Sequence, residues 1–154
     1  MSAQQQLLDK YGNPENPGYD AQFIMIWNPV ASGHIWWKWG SFRVNKDFQP
    51  MLDTAFTSLE EQNLQDEIHS FDGCEVHRHV AGSPSISMHS WGAAIDINAS
   101  TNQQVRKPID QITSEDRLGK WSPGFVKCFT DAGISFGGNF KKTPDPMHFA
   151  MIDG

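Results

Sequence analysis

The sequence predicts an α+β fold: a single domain with a central antiparallel sheet flanked by helices. Two observations carry this prediction. Two helical patterns are separated by a long polar stretch, and two segments with the two-residue alternation of β-strands precede and follow the second helix. The chain has 154 residues, enough for one domain with a hydrophobic core, and it shows no internal repeat or low-complexity linker. We therefore treat residues 1–154 as one domain.

The two helices are predicted from apolar spacing and from capping signals. From Asp47 the apolar residues recur at helical spacing, which predicts an amphipathic helix to about Asn63 with Pro50 in its first turn. A second helix is predicted from Ser122 as N-cap to Asp131, with proline at its first position. The apolar residues of the first helix are Phe48, Met51, Leu52, Ala55, Phe56 and Leu59.

Strands are predicted where apolar and polar residues alternate or form short apolar runs. The alternating segments are 93–98 and 147–152, and shorter strands are expected at 23–27 and 75–80, the latter after a turn at Asp72-Gly73. Residues 11–20 are rich in turn formers and read as an irregular lead-in. Residues 98–120 read as a polar surface loop with one helical turn, and Gly137-Gly138 as a turn.

Charge and composition argue against several classes of partner. The net charge is −6 and the pI is about 5.4, which disfavours nonspecific binding to nucleic acid or to an anionic membrane.

The first ten residues lack the basic and apolar regions of a signal peptide, so we expect synthesis in the cytoplasm. We also expect a monomer, and we read Cys74 and Cys128 as reduced, half-buried thiols.

Two segments contain residues suited to a metal site. Ser87–Asp96 contributes His89 and Asp96, and a second segment about fifty residues later contributes His148. On adjacent antiparallel strands, Asp96 and His148 would face one cleft opposite the larger apolar residues, and His89 would approach from the preceding loop. Zinc accepts such nitrogen and oxygen ligands and leaves a fourth position open, so we expect one zinc per chain. The alternative is that His89 caps a turn and Asp96 forms an ion pair, but a carboxylate in an apolar run is costly without a partner.

Asp145 and Arg78 are candidates for the chemistry beside this site. Asp145 lies three residues before His148, and Pro146 stiffens the segment, so its carboxylate is placed to take a proton from an attacking water and return it to the leaving amine. The alternative is a solvated turn aspartate. Arg78 on the predicted 75–80 strand can bind a substrate carboxylate or a developing oxyanion, although spacing alone favours a surface ion pair.

The remaining reactive or aromatic side chains have weaker patterns. No Gly-x-Ser-x-Gly elbow surrounds Ser87, so a serine nucleophile is disfavoured. The aromatic cluster at 36–39 is interpreted as core or dimer contact, with stacking of a carbohydrate or peptide as the alternative. Four histidines lack partner spacing and are interpreted as surface or structural residues: His34, His69, His77 and His79.

The two metal-binding segments resemble those of the zinc D-alanyl-D-alanine peptidase superfamily. The nearest likeness is to its phage-type branch, which includes L-alanyl-D-glutamate peptidase endolysins. The Ser-x-His-x-x-Gly-x-Ala-x-Asp pattern of the superfamily is matched by Ser87, His89, Gly92, Ala94 and Asp96, and its acidic-x-x-His pattern by Asp145 and His148. Asp145 stands where many members of the superfamily have glutamate; the phage-type branch resembles this chain in having aspartate there. Phe136 stands where tryptophan is usual.

The resemblance implies a role for each matched residue. It implies zinc on His89, Asp96 and His148, Asp145 as general base and acid, and Arg78 with Ser87 in substrate binding. The implied reaction is hydrolysis of a peptide bond in the peptidoglycan stem peptide. A phage or prophage lysis enzyme would fit, built as a bare catalytic domain that reaches the wall through a separate pore. The alternatives are a D-alanyl-D-alanine carboxypeptidase or dipeptidase and an inactive zinc-containing binding or tail module.

Overall fold

The protein has an α+β architecture built on two antiparallel sheets. The structure, a computed structural model, describes residues 1–80 and 84–153. In this part of the chain the helices are α1 (Ala3–Tyr11), α2 (Tyr19–Phe23), α3 (Gln49–Glu61), α4 (Ser114–Leu118) and α5 (Pro123–Asp131). The strands are β1 (Ile24–Trp27), β2 (Phe42–Asn45), β3 (Phe71–Gly73), β4 (Ala94–Ile97), β5 (Ser135–Phe136) and β6 (His148–Ala150). No helix among these residues is both long and apolar enough to cross a membrane.

The larger sheet joins strands that are far apart in the sequence. Its order is β3-β4-β6-β5, and each neighbouring pair is antiparallel. Strands β1 and β2 form a separate antiparallel pair. The predicted central antiparallel sheet is confirmed, and the alternating segments 93–98 and 147–152 supply its middle strands, β4 and β6.

Helices α3 and α5 pack together over the main hydrophobic core. Their buried residues include Leu52, Phe56 and Phe129, which lie in one cluster with Ile95 of β4 and Phe149 of β6. Both predicted helices are confirmed, and the hydroxyl of Ser122 caps α5 by accepting a hydrogen bond from the Phe125 N–H. A second cluster holds α1 and α2 against the segment before β4; its buried members are Leu7, Tyr11, Tyr19, Trp91 and Ala93.

The strand predicted over 75–80 and the turn predicted at Asp72-Gly73 are both wrong. The strand is β3, which contains Asp72 and Gly73, and its ladder with β4 shifts register between Phe71 and Gly73. Gly73 has a φ of +130°, a conformation that side chains disfavour and that ends the regular pairing. Residues 74–80 continue as an irregular segment, and the His79–Ile86 bridge is its one β-pair within the described residues.

The N-terminal helices were not predicted from the sequence. In α1 the apolar residues Leu7 and Leu8 are adjacent rather than periodic, so their spacing gave little signal, yet Ser2 caps the helix by accepting from the Gln5 N–H. The irregular lead-in predicted for residues 11–20 holds between the end of α1 and the start of α2. The polar stretch 98–120 contains α4, begun by a capping box of Thr113 and Asp116.

Candidate metal and catalytic site

Asp96 and His148 are brought together by strand register. They are direct partners in the antiparallel ladder between β4 and β6, and the next pair along that ladder is Ile95 with Phe149. Because successive residues of a strand point to opposite faces, Asp96 and His148 share the face opposite the buried Ile95 and Phe149. The distance from Asp96 Oδ1 to His148 Nδ1 is 3.3 Å.

His89 enters the site from a short 3₁₀ turn just before β4. The turn spans Met88–Trp91, and the Ser87 hydroxyl caps it by accepting a hydrogen bond from the His89 backbone N–H. Gly92 ends the turn with a φ of +65°, and a Cβ there would lie 2.9 Å from the Asn45 backbone nitrogen. The glycine therefore permits the close approach that swings the chain from His89 into β4.

The orientation of the His89 ring is fixed by a backbone carbonyl. Its Nδ1 lies 2.8 Å from the carbonyl oxygen of Cys74. Since a carbonyl only accepts, this hydrogen bond places the proton on Nδ1 and leaves the Nε2 lone pair free. That Nε2 lies 3.2 Å from Asp96 Oδ2.

The three side chains form a buried set of donor atoms suited to a divalent cation. His89, Asp96 and His148 each offer one ligand atom, and these atoms lie within 4.8 Å of one another. His89 Nε2 and Asp96 Oδ1 are buried without a hydrogen-bond partner among the described residues. Unpaired buried polar atoms are costly, and an ion coordinated between them removes that cost. The residues present therefore fit zinc, which takes imidazole nitrogen and carboxylate oxygen.

The electrostatics of Asp96 agree with a cation-binding carboxylate. Burial by itself raises the pKa of Asp96, but the His148 and His89 rings outweigh burial and hold the pKa of this carboxyl well below its usual range. Asp96 is thus ionised at neutral pH even though its side chain is only 14% exposed.

Asp145 is held beside the same set by a turn that requires glycine. The Asp145 N–H donates to the Gly137 carbonyl at 2.8 Å, and the Asp145 carbonyl accepts from the His148 N–H at 3.0 Å. A Cβ on Gly137 would lie 2.3 Å from the Asp145 carbonyl oxygen and 2.9 Å from His148 Cβ. The turn thus fixes the backbone separation of Asp145 from His148.

The carboxylate of Asp145 has the properties of a proton acceptor. Its Oδ1 is buried and has no hydrogen-bond partner within the described residues. Burial raises the pKa of Asp145, and the charge of Asp96 acts in the same direction against the opposing effects of His148, His89 and Arg78. A carboxyl with a raised pKa is a stronger base than an exposed aspartate.

Arg78 reaches the edge of the site from the irregular segment rather than from a strand. Its guanidinium NH2 group lies 3.9 Å from Asp96 Oδ2, and its side chain is 47% exposed. The segment is held to the His89 turn by backbone hydrogen bonds from Val76 N–H to His89 and from Ser87 N–H to Arg78. Arg78 therefore borders both the ligand set and solvent, where a substrate can reach it.

Ser87 and the other singled-out residues have structural contacts of their own. Ser87 caps the turn that carries His89, and its contact with a substrate stays a prediction. Trp37 is buried in the main core, with Trp36 and Trp39 half-buried against it, which supports the core interpretation of the aromatic cluster. Cys74 and Cys128 are free thiols, as predicted, but both are fully buried in the main core rather than half-buried.

Two contributors to the site were not found by sequence reasoning. The Cys74 carbonyl orients His89, but a backbone atom leaves no side-chain signature. Gly137 was read as a turn residue, and its close packing against Asp145 and His148 depends on the fold rather than on local sequence.

Comparison with known proteins gives one family match over this part of the chain. Residues 81–151 match the family model described as D-alanyl-D-alanine carboxypeptidase. Searches of the curated proteins and of the solved structures found no significant match. The matched segment contains His89, Asp96, Asp145 and His148, and Arg78 lies just before it. The segment that contains the buried donor set is therefore similar to D-alanyl-D-alanine carboxypeptidase. This similarity supports peptidase activity for the protein.

Proposed function

We propose that this protein is a zinc peptidase that hydrolyses a peptide bond in the peptidoglycan stem peptide. The observation that carries the proposal is the convergence of His89, Asp96 and His148 with the buried carboxylate of Asp145 beside them. Three protein ligands and a nearby base are the components of a zinc hydrolase. A protein that only bound zinc for structure would not need the unpaired carboxylate.

One zinc per chain would be held by His89, Asp96 and His148. When bound, it supplies Lewis-acid chemistry, which lowers the pKa of a water and polarises the scissile carbonyl. Cys74 contributes by holding the His89 ring in the tautomer that leaves Nε2 free to coordinate.

Asp145 and Arg78 divide the remaining chemistry. The Asp145 carboxylate accepts a proton from the attacking water and then donates it to the leaving amine. Arg78, half-exposed at the edge of the site, binds the substrate carboxylate or the developing oxyanion through its guanidinium. Ser87 borders the same region through the turn that it caps.

For the bond that is cut, we favour the L-alanyl-D-glutamate bond, in a phage or prophage endolysin acting as a monomer. This choice rests on the aspartate at position 145 and on the sequence resemblance to the phage-type branch. Such an enzyme would be made in the host cytoplasm and reach the wall through a separate pore. A carboxypeptidase acting on terminal D-alanine is the second candidate, favoured by the description of the matching family.

Digestion of purified muropeptides followed by mass spectrometry tests the proposal. The zinc-loaded protein should release products cut between L-alanine and D-glutamate. Loss of one terminal alanine would identify the carboxypeptidase instead, and loss of a terminal dipeptide would identify a dipeptidase. If the muropeptides stay intact at high enzyme concentration, the remaining alternative is an inactive zinc-containing binding module.

A further inference from the structure

A second cluster of potential ligands lies outside the site described above. It consists of Asp20 on α2 and of Glu75 and His77 on the irregular segment that follows β3. One ligand atom from each lies within 4.8 Å of the others. The Glu75 side chain is only 4% exposed, whereas that of His77 is 48% exposed, so the cluster has a buried floor and an open side.

The two carboxylates each have one oxygen engaged and one oxygen without a partner. Arg43 donates from Nε to Glu75 Oε1 at 2.7 Å and from NH2 to Asp20 Oδ2 at 2.9 Å. The opposite oxygens, Glu75 Oε2 and Asp20 Oδ1, are buried without a hydrogen-bond partner in the described residues. One arginine serves two neighbouring carboxyl groups, so a cation placed between their remaining oxygens would relieve the repulsion between them.

We propose that Asp20, Glu75 and His77 form a second divalent-metal site, selective for a zinc-like transition metal. Glu75 Oε2 faces His77 Nε2 at 3.7 Å, so both atoms border the same space. An imidazole with two carboxylates favours zinc-type ions over calcium or magnesium, which take oxygen ligands. Arg43 binds the outer oxygens and orients both carboxylates, as hydrogen-bonding partners of metal ligands commonly do.

The position of this cluster links it physically to the first site. Glu75 directly follows Cys74, whose carbonyl orients His89, and His77 directly precedes Arg78. The segment around them has one β-bridge among the described residues and is otherwise irregular. An ion that joins Glu75 and His77 to Asp20 on α2 would hold this segment in place and with it Arg78.

Zinc content after dialysis against zinc-free buffer tests this proposal independently of catalysis. The wild-type protein should retain two equivalents, and His77→Gln or Asp20→Asn should retain one. A His89→Ala/His148→Ala variant should also retain one, and adding His77→Gln to that variant should reduce the content to zero. His69→Gln, which changes an exposed histidine outside both clusters, is the matched control and should retain two.

The outcomes separate the two metal sites. A wild-type protein with one equivalent that is unaffected by His77→Gln overturns the second site. One equivalent that is lost in His77→Gln but kept in His89→Ala/His148→Ala supports the second site and contradicts the zinc assignment in the proposed function. If the double variant does not fold by circular dichroism, the comparison of wild type with His77→Gln decides alone.

Discussion

Asp96 and His148 are register partners on β4 and β6, and Asp96 Oδ1 lies 3.3 Å from His148 Nδ1. His148 follows Asp96 by 52 positions in the chain, so the sheet rather than local sequence makes them neighbours. The sheet also fixes which face they occupy, because a shift of one residue would turn either side chain into the core. The candidate ligand set thus depends on the same strand pairing that places Ile95 opposite Phe149.

Asp145→Asn is expected to retain zinc and to lose most hydrolysis. An amide is nearly the same size as the carboxylate but cannot accept a proton from water, and a general base contributes roughly 10²–10⁴-fold in rate. The measurement is turnover of muropeptides at matched zinc content. Asp131→Asn, on the exposed end of α5, is the control. A zinc-loaded Asp145→Asn enzyme that keeps more than about a tenth of wild-type turnover contradicts the role of the base.

Arg78→Ala is expected to leave zinc stoichiometry at the first site unchanged and to slow hydrolysis strongly. Its guanidinium lies 3.9 Å from Asp96 Oδ2 and is not one of the three donor groups, so we expect its loss to remove a contact with the substrate and to spare the metal. Loss of one oxyanion donor typically costs about 10²–10³ in rate. Arg106→Ala, an exposed arginine elsewhere in the chain, is the control. Near-normal turnover by Arg78→Ala would return this residue to a surface ion pair.

Gly137→Ala is expected to weaken both zinc binding and hydrolysis. The new Cβ would lie 2.3 Å from the Asp145 carbonyl oxygen, so the backbone that carries Asp145 and His148 must move. Zinc affinity by competition with a chelator and muropeptide turnover are the measurements. In α5, Gly124→Ala is the control, since its Cβ would meet Leu64 Cδ1 at 3.4 Å and alanine favours helices by up to about 1 kcal/mol. Unchanged affinity in Gly137→Ala would show that the turn does not position the ligand.

Glu60→Gln is expected to make the free energy of unfolding vary less with pH in the acid range. Burial raises the pKa of Glu60, but hydrogen bonds from His34 and Trp36 outweigh it and lower that pKa below its usual range. A carboxyl with a depressed folded-state pKa stabilises the protein above its unfolded-state pKa, and this contribution is lost as the pH falls through the folded-state pKa.

The difference between wild type and Glu60→Gln should therefore be largest at neutral pH, at about 1–3 kcal/mol. It should shrink on acidification below about pH 4. Urea unfolding across this range is the measurement, and the exposed neighbour Glu61→Gln is the control. A difference that stays constant from neutral to acid pH would show that the Glu60 charge is not the stabilising feature.

The features of the site that depend on local periodicity could be predicted from the sequence. The alternation around Asp96 and around His148 predicted that both side chains lie opposite the larger apolar residues, and the register of β4 and β6 agrees. Helices α3 and α5 were also predictable, because their apolar spacing and the Ser122 cap are encoded within a few residues.

Features that depend on long-range packing were not predictable. A strand was predicted over residues 75–80, but the observed strand is Phe71–Gly73. Its pairing with β4 shifts register between Phe71 and Gly73, and the positive φ of Gly73 ends the strand before residue 75. The grouping of Asp20 with Glu75 and His77 joins α2 to a segment more than fifty residues away, and no spacing rule connects them. His34, interpreted as surface or structural, is buried between Asp53 and Glu60 of α3.

Zinc dependence of muropeptide hydrolysis tests the central claim most directly. The protein is assayed by mass spectrometry as purified, after its metal has been removed by chelation, and after zinc is returned, with Asp96→Asn carried through the same steps. The wild-type protein should cleave the stem peptide, lose this activity with its zinc and regain it on zinc addition, while Asp96→Asn should stay inactive throughout. Cleavage that persists in metal-free protein, or absence of cleavage with zinc bound at His89, Asp96 and His148, would contradict the assignment.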